Sequence, residues 1–187
     1  MAVFEQPSGD QPAVGAKNRQ PRNLPIRRGV GIVLLNRLGQ VWIGQRRPKW
    51  LPRDAPPVWQ MPQGGVRANE KPIEAALREL AEETGVTSVE VLAKSRSWIT
   101  WYLPEELIGI ALKGRYSGQR QRWFAMRFLG EDGEINLRPP DGGKPEFDAW
   151  RWAEPHEVIE LAPSFRRSSY EAVFEEFAEL LRGARER

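Results

Sequence analysis

The strongest constraint on the fold comes from residues 64–86, which read GGVRANEKPIEAALRELAEETGV. Two glycines open this segment, and an apolar pattern with helical spacing follows Pro72. The residues that recur at i, i+3, i+4 and i+7 are Ile73, Ala76, Leu77 and Leu80. This period predicts an amphipathic helix whose apolar stripe faces the core. Gly85 follows the pattern and is expected to end the helix as its C-cap.

The same helix carries a cluster of acidic residues on a second face. Glu79, Glu82 and Glu83 stand at i, i+3 and i+4, which brings their carboxylates together. Neighbouring carboxylates repel, and Arg78 can pair with Glu82 but cannot offset the whole cluster. Hard oxygen ligands in that number suit Mg²⁺ or Mn²⁺, and Mg²⁺ often completes its shell with water and substrate phosphates. The simpler alternative is a solvated acidic face without a ligand.

The spacing of these residues also resembles a family signature, the Nudix box. The fixed positions that match are Gly64, Glu70, Arg78, Glu79, Leu80, Glu82, Glu83, Gly85 and Val86. This resemblance implies a hydrolase that acts on a nucleoside diphosphate linked to another group. It further implies that the helix glutamates hold a divalent metal. The catalytic residues expected on this basis are Arg78, Glu79, Glu82 and Glu83.

Composition narrows the class of protein and excludes several kinds of chemistry. The chain has 187 residues, of which 40% are hydrophobic and 28% charged, and this favours one soluble domain with a sizeable core. It has no cysteine, so disulfides, thiolate catalysis and cysteine-bound zinc are excluded. A single histidine leaves acid–base chemistry mostly to carboxylates. No apolar run approaches the roughly 18 residues of a spanning helix, and no signal-peptide region is apparent. We therefore expect a cytoplasmic protein without a membrane partner.

The rest of the chain predicts a single domain between two loosely ordered ends. Residues 1–25 contain prolines but no apolar periodicity, so a disordered tail is expected there. The domain is expected to span 26–182, with residues 183–187 frayed. Strands are predicted at 30–35, 41–45, 58–61, 89–93, 97–103, 121–128 and 147–152. A short helix is predicted at 154–161, and Ser164 is expected to cap a longer one. The apolar stripe of that longer helix consists of Tyr170, Val173, Phe174, Phe177 and Leu181.

These elements predict an α/β (α+β) fold. Strands interrupted by one central helix, with a second long helix at the end, favour helices on both sides of a mixed β-sheet. The Nudix fold is an α/β/α sandwich of the same kind, so the pattern and the resemblance agree. Residues 48–57 and 130–144 are rich in proline or glycine and are predicted to be loops.

Two features outside the helix are expected to complete the site. Gly64 and Gly65 allow the backbone to approach a metal or phosphates without an intervening Cβ, and Gly64 is expected to contribute to metal binding. Glu146 follows a proline-rich loop and is expected to open a strand, so its side chain could reach the site from a second direction. The resemblance implies that Glu146 is a further metal ligand. Metal-bound carboxylates beside a glycine-rich loop suit attack of water on a phosphoanhydride.

Residues from about 26 to 170 resemble one subgroup of this family, the bacterial RNA 5′-pyrophosphohydrolases and dinucleoside polyphosphate hydrolases. The segments that carry the likeness include GVGIVLLNRLGQVWIGQRR, WQMPQGG, GQRQRWFAMRFLG and PEFDAWRW. By this likeness, the contacts to the 5′-phosphates or first nucleotides come from Arg27, Arg46, Gln119 and Arg166. Tyr102 and Phe165 are candidates for stacking on a base. The simpler alternatives are solvated arginines and buried aromatic residues.

The chain departs from the subgroup at two places. The loop at 48–57 is longer than in the enterobacterial-type RNA enzymes, and it borders the strand that enters the box. Arg166 stands where those enzymes have lysine, which keeps the charge but changes the geometry of a phosphate contact. Both differences bear on the choice of substrate rather than on the chemistry.

The function expected from these features is hydrolysis of the 5′-triphosphate or 5′-diphosphate end of RNA to leave a 5′-monophosphate. Residues 107–130 contain no acidic residue, and their basic residues are interleaved with Tyr116, Trp123 and Phe124, which suits a polyanion with exposed bases. The basic residues are Lys113, Arg115, Arg120, Arg122 and Arg127. One residue of the pair Trp123 and Phe124 is expected in the core. The alternative is asymmetric hydrolysis of diadenosine tetraphosphate and related dinucleotides. A binding module without catalysis should lack a box acid, and this chain keeps them all; no DNA partner is expected.

Overall fold

The structure, a computed structural model, describes residues 24–139 and 142–185. The strands are β1 (Ile26–Leu35), β2 (Val41–Arg46), β3 (Val58–Gln60), β4 (Gln63–Gly65), β5 (Val89–Lys94), β6 (Ile99–Tyr102), β7 (Gly118–Phe128) and β8 (Ala149–Ala153). The α-helices are α1 (Pro72–Thr84), α2 (Pro155–Leu161), α3 (Ser164–Glu176) and α4 (Ala178–Arg185). Residues 1–23 of the predicted tail lie outside the described residues. Within the described ranges, no helix is long and apolar enough to cross a membrane.

The strands form one mixed sheet around β1 and β7. These two strands run parallel, and their paired residues extend from Ile26 with Gly118 to Leu35 with Arg127. The middle of β1, residues 29–31, also pairs with β4, and Leu35 pairs with Val41 where the hairpin to β2 begins. β7 pairs along its other edge with β6 and β5, and β2 pairs with β3 and β8. As a result, β4 brings the chain to the centre of the sheet shortly before α1 begins.

Strand β1 is buried on both faces of the sheet. Val30, Ile32 and Leu34 belong to the core that packs against α1. Val33 and Leu35 belong to a second core, which packs against α2, α3 and α4. A strand covered on both faces is expected to be an almost continuous apolar run, as the VGIVLL segment is. Helices on both sides of a mixed sheet confirm the predicted α/β/α sandwich.

Helix α1 presents a buried side that differs slightly from the predicted stripe. It ends as predicted at Gly85, which has a φ of 73° and donates its N–H to the Ala81 carbonyl oxygen. The buried residues are Ala75, Ala76, Leu80, Glu83 and Thr84. Leu77 is 40% exposed, so the prediction that it faces the core is wrong. The buried side is centred on Leu80 and continues into Glu83, which leaves Leu77 at the margin and places one acid of the cluster inside the protein.

The C-terminal helices differ from the prediction at their ends. Pro163 occupies the N-cap position of α3 and Ser164 is the first helical residue, so Ser164 does not cap this helix as predicted. The long helix is interrupted at Phe177, where α3 ends and α4 follows. The predicted apolar stripe is nevertheless buried along its whole length. Helix α4 continues to Arg185, three residues into the segment expected to fray.

Two predictions about strands also need correction. Trp123 and Phe124 are both buried rather than only one of them, because β7 is covered on both faces and each residue enters a different core. Glu146 does not open a strand, since β8 begins at Ala149. Glu146 instead lies in the loop that leads into β8, next to the fully buried Phe147.

Candidate active site

The close approach of β4 to α1 depends on a glycine. Gly64 is held by its pairing with Val30 of β1, and the Glu79 side chain lies directly against it. A Cβ at position 64 would lie 1.8 Å from the Glu79 carboxyl carbon, far inside van der Waals contact. The Gly64 carbonyl oxygen is also close to β1, because a Cβ on Gly29 would lie 2.6 Å from it. The loop and Glu79 therefore share a space that admits no side chain at position 64.

Arg78 connects the loop, the helix and the acidic cluster. Its guanidinium donates to both carboxylate oxygens of Glu70, at 2.8 and 3.0 Å, and to the Gly65 carbonyl oxygen at 2.9 Å. It also donates to Glu79 at 2.8 Å and to Glu82 at 3.2 Å. The bond to Arg78, supported by the Arg67 N–H, lowers the pKa of Glu70 to about 2. The bidentate pair with Glu70 fixes Arg78 firmly, so Arg78 holds Glu79 and Glu82 in place.

Glu83 is the most deeply buried acid of the cluster. It is 9% exposed, and one of its oxygens accepts a hydrogen bond of 3.0 Å from the Gln63 N–H. Burial raises its pKa well above the ordinary value, and the neighbouring charges of Glu146 and Glu79 raise it further. Glu79 and Glu146 thus each lie close enough to Glu83 to repel its carboxylate, although Glu146 is remote in sequence. A positive charge placed among them would relieve both burial and repulsion.

Arg46 and Glu146 form an ion pair at the end of β2. Arg46 partly offsets the repulsion felt by Glu83, and both members of the pair influence the buried Arg166. The structure therefore brings Glu83, Glu146, Arg46 and Arg166 into one neighbourhood.

The donor set fits a divalent cation, although the acids are paired with arginines. Oxygen atoms alone are available here, from the carboxylates and the Gly64 backbone, and hard cations such as Mg²⁺ prefer them. Within the described ranges, no three acidic side chains converge on a single point. The reason is visible in the ion pairs, since Glu79 and Glu82 turn to Arg78 while Glu146 turns to Arg46. Binding of a cation would require these carboxylates to rotate away from their arginines.

An open pocket of about 520 Å³ lies beside the acids. Its lining includes Arg27, Arg28, Arg67, Tyr116, Glu79 and Glu82. Arg27 packs against the loop so closely that a Cβ on Gly65 would lie 2.4 Å from its Nη2 atom. Arg67 reaches Glu82 at 3.1 Å. The pocket thus combines acids for a metal with guanidinium groups for phosphate oxygens, and it contains Arg27 of the predicted phosphate contacts.

The other predicted substrate residues lie in two different environments. Tyr102 is 64% exposed at the end of β6, where its ring is available to a base. Gln119 is buried on β7, and its Oε1 atom has no hydrogen-bond partner among the described residues. Phe165 packs against Trp50 and Trp101, with ring centres 6.0 and 5.6 Å apart. Phe165 is therefore part of an apolar cluster and is not a free stacking surface.

Arg166 is also more enclosed than a phosphate contact usually is. It is 8% exposed, donates from Nη1 to Gln60 Oε1 at 2.9 Å, and lies 4.5 Å from the centre of the Trp101 ring. Burial lowers its pKa, as expected for a desolvated cation. The charges of Arg46 and Glu146 both act on its guanidinium, and its Nε atom has no hydrogen-bond partner within the described chain.

A buried chain of hydrogen bonds through Gln121 and Gln63 was not predicted from the sequence. Trp101 Nε1 donates to Gln121 Oε1 at 2.9 Å, and Gln121 Nε2 donates to Gln63 Oε1 at 2.8 Å. The Gln63 backbone in turn donates to Glu83, so the amides join the aromatic cluster to the most buried acid. Gln121 is fully buried, which makes its hydrogen bonds costly to break. The available signal was the two-residue spacing of Gln121 from Trp123 and Ala125, which places the glutamine on a buried face of β7.

The fold and the site together define the class of the protein. Residues 25–174 match the NUDIX domain, so the chain belongs to the Nudix family, as its box predicted. It is a Nudix hydrolase, and enzymes of this family depend on divalent metal ions.

Individual relatives place the chain more narrowly. It is 50% identical over 163 residues to an RNA pyrophosphohydrolase of Rhizobium meliloti, covering 86% of this chain and 98% of the relative. It is 47% identical over 165 residues to an RNA pyrophosphohydrolase of Brucella ovis, with 86% and 92% covered.

Solved structures agree on the fold. A MutT protein from Methanosarcina mazei has a TM-score of 0.60 at 18% identity, over 82% of this chain and 96% of that one. An Ap4A hydrolase complex from C. elegans has a TM-score of 0.58 at 19% identity, over 84% and 99%.

Proposed function

We propose that the protein removes pyrophosphate or phosphate from the 5′ end of tri- or diphosphorylated RNA and leaves a 5′-monophosphate. The observation that carries this proposal is the pocket in which box acids and arginines line the same wall. Acids alone would suit a metal and arginines alone would suit any polyanion, whereas the combination suits a chain of phosphates. The relatives named RNA pyrophosphohydrolase, which this chain matches over nearly their whole length, support RNA as the substrate.

In this proposal, the metal-binding residues are Glu79, Glu82, Glu83, Glu146 and the Gly64 carbonyl oxygen. Mg²⁺ is the proposed ion, and Mn²⁺ is expected to replace it because both favour oxygen ligands. When bound, a divalent ion neutralises phosphoryl charge and makes a bound water more acidic. One of the carboxylates accepts the proton of the attacking water. Arg78 positions Glu79 through the hydrogen bond described above, and Glu70 positions Arg78.

The arginines bind and orient the phosphate chain. Arg27 lies beside Gly65 on the pocket wall, where it can donate to phosphate oxygens that lie next to the acids. Arg46 and Arg166 are proposed to contact phosphates from the side of Glu146. Arg46 becomes available when Glu146 turns to the metal, because the two are paired in the structure.

Recognition of the first nucleotides is proposed to use the exposed ring of Tyr102 and the unpartnered amide oxygen of Gln119. Phe165 is proposed to contact a base only along the edge that its packing against Trp50 and Trp101 leaves open. Tyr102 provides the larger stacking surface. The cytoplasmic location expected from the sequence remains a prediction.

The test compares kcat/KM for triphosphorylated RNA, diphosphorylated RNA and diadenosine tetraphosphate in Mg²⁺, with Glu82→Gln as the inactive control. We expect the RNA substrates to be preferred and the variant to lose at least about 100-fold in activity. A large preference for the dinucleotide would replace the RNA assignment with dinucleoside polyphosphate hydrolysis. Parent-like cleavage by Glu82→Gln would contradict the proposed mechanism for either substrate.

A further inference from the structure

A second basic surface lies next to the pocket, outside the residues used above for catalysis. It consists of Trp98, Arg28, Arg120 and Arg122, and is called the Trp98 platform here. Trp98 is partly exposed and precedes β6 by one residue. The guanidinium carbons of Arg28, Arg120 and Arg122 lie 4.9, 5.8 and 5.0 Å from the centre of its ring. Three guanidinium groups therefore share one aromatic side chain.

The register of the sheet explains why these side chains meet. Arg28 of β1 pairs with Arg120 of β7, and Arg122 lies two residues further along β7. Side chains two residues apart on a strand leave the sheet on the same face, so the three arginines point to one side. Thr100 of β6 pairs with Arg120 from the other edge and thereby brings Trp98 alongside. Paired strands thus fix the three arginines, and Trp98 lies in the connection directly before β6.

The positive charge of the platform is not balanced by acidic side chains. Among the residues that the structure describes, neither Arg28 nor Arg120 has a carboxylate partner. Arg122 donates to the backbone carbonyl oxygens of Ser95 and Arg96, at 2.6 and 2.8 Å, which leaves its charge in place. Cation–π contacts attract each guanidinium to the ring, but they do not occupy its N–H donors. An anionic chain lying across the platform would remove the repulsion among the three.

Arg28 joins the platform to the candidate active site. It lines the same pocket as Glu79 and Glu82, so a chain that leaves this pocket past Arg28 reaches Trp98 next. We propose that the Trp98 platform binds the single-stranded RNA segment that follows the first nucleotides. Phosphates would lie on the arginines and a base on the open part of the Trp98 ring. The central aromatic ring favours RNA over an acidic polypeptide, which has no bases to stack. This inference rests on the proposed function.

The proposal predicts that affinity and catalytic efficiency increase with RNA length. A triphosphorylated dinucleotide reaches only the pocket, whereas a triphosphorylated ten-nucleotide RNA also reaches the platform. We expect the parent to prefer the longer substrate in kcat/KM. The variant Arg120→Gln should lose about three- to tenfold on the longer RNA and keep parent activity on the dinucleotide. The slope of log binding constant against log salt concentration should fall by about one.

The matched control is Arg127→Gln, which removes one arginine from the same strand. Arg127 is paired with Glu90 at 3.0 Å and lies at the far end of β7, so its loss should change neither length dependence nor salt slope. Binding is measured by fluorescence anisotropy with a 5′-monophosphorylated ten-nucleotide RNA, which is the reaction product and needs no hydrolysis. If the parent fails to cleave either triphosphorylated RNA, the proposed function fails, while the anisotropy still tests the platform.

Three results would overturn the proposal. The first is parent-like affinity and salt slope in Arg120→Gln. The second is an equal loss of activity on the dinucleotide and on the ten-nucleotide RNA, because this would place the effect in the pocket. The third is displacement of RNA from the parent by poly-glutamate as effectively as by unlabelled RNA. That outcome would assign the platform to acidic protein partners.

Discussion

Gly64→Ala tests how tightly the loop and helix α1 are fitted together. The new Cβ would lie 1.8 Å from the Glu79 carboxyl carbon and 2.1 and 2.2 Å from its oxygens. Carbon atoms in ordinary contact are about 3.5–4 Å apart, so the carboxyl group must move by about 2 Å. The strand backbone at Gly64 cannot move instead, because it is paired with Val30 of β1. The substitution therefore displaces one proposed metal ligand and leaves the others in place.

A displacement of that size has a large effect on catalysis and a small one on folding. Misplacement of a catalytic group by about 1 Å can cost about 100-fold in rate, or about 3 kcal/mol of transition-state stabilisation. We expect at least that loss in kcat/KM from Gly64→Ala, together with a roughly 10- to 100-fold weaker affinity for Mn²⁺. The free energy of unfolding should change by less than about 1 kcal/mol, because only the end of a flexible side chain has to move.

The neighbouring variant Gly65→Ala provides the control. Its Cβ would meet the Arg27 guanidinium, whose atoms are its three nearest neighbours at 2.4, 3.0 and 3.0 Å, so it should raise KM without changing Mn²⁺ affinity. The measurements are Mn²⁺ titration by electron paramagnetic resonance, steady-state kinetics on triphosphorylated RNA, and thermal unfolding by circular dichroism. A folded Gly64→Ala variant with parent Mn²⁺ affinity and activity would refute the role given to this contact.

Three further predictions concern charge and exposure. Because the folded protein raises the pKa of Glu83, metal-free stability should fall as pH rises above about 4.5. Glu83→Gln should then have a higher Tm than the parent at pH 8 in EDTA, lose that advantage near pH 4, and no longer be stabilised by Mg²⁺. Glu70, with its pKa lowered to about 2, should stabilise the fold above pH 4.5 and lose this effect between about pH 4.5 and 2. The Tm difference between the parent and Glu70→Gln should shrink across that range, whereas an unchanged difference would contradict the Arg78 pair. Tyr102→Ala should raise KM for RNA at unchanged Tm, because the ring is largely exposed; an unchanged KM would exclude stacking.

Local patterns predicted the architecture well because both cores are encoded in short segments. The apolar run of β1, the stripe of α1 and the glycine at its end each specify one element without help from distant residues. The rotation of α1 about its own axis, which decides which residues face the core, was harder to predict from the sequence. Leu77 is exposed and Glu83 is buried, with Gln63 of β4 hydrogen-bonded to Glu83 and Glu146 near it. Neither neighbour of Glu83 can be seen in the helix sequence.

Site residues that are close together in sequence could be predicted to act together. Contacts between distant parts of the chain could not be predicted. The proximity of Glu79 and Glu82 follows from their spacing on the helix. The pairing of Arg78 with Glu70 instead depends on how the loop before α1 folds back onto the helix. The burial of Phe165 and Arg166 arises from Trp50 and Trp101, which belong to other parts of the chain. A local sequence pattern gives the type of each residue, but it does not show which distant aromatic side chain will pack against that residue.

The central pairing of β1 with β7 also has a consequence for how the chain folds. Five strands and helix α1 separate these partners in sequence, so the middle of the sheet closes only after most of the domain has been synthesised. Until then, the apolar β1 strand has only the β2 hairpin and β4 as partners. Contacts between such distant segments slow folding, and an unpaired apolar strand is prone to aggregation. Release of a nascent chain before β7 emerges from the ribosome should therefore yield a species that depends on chaperones.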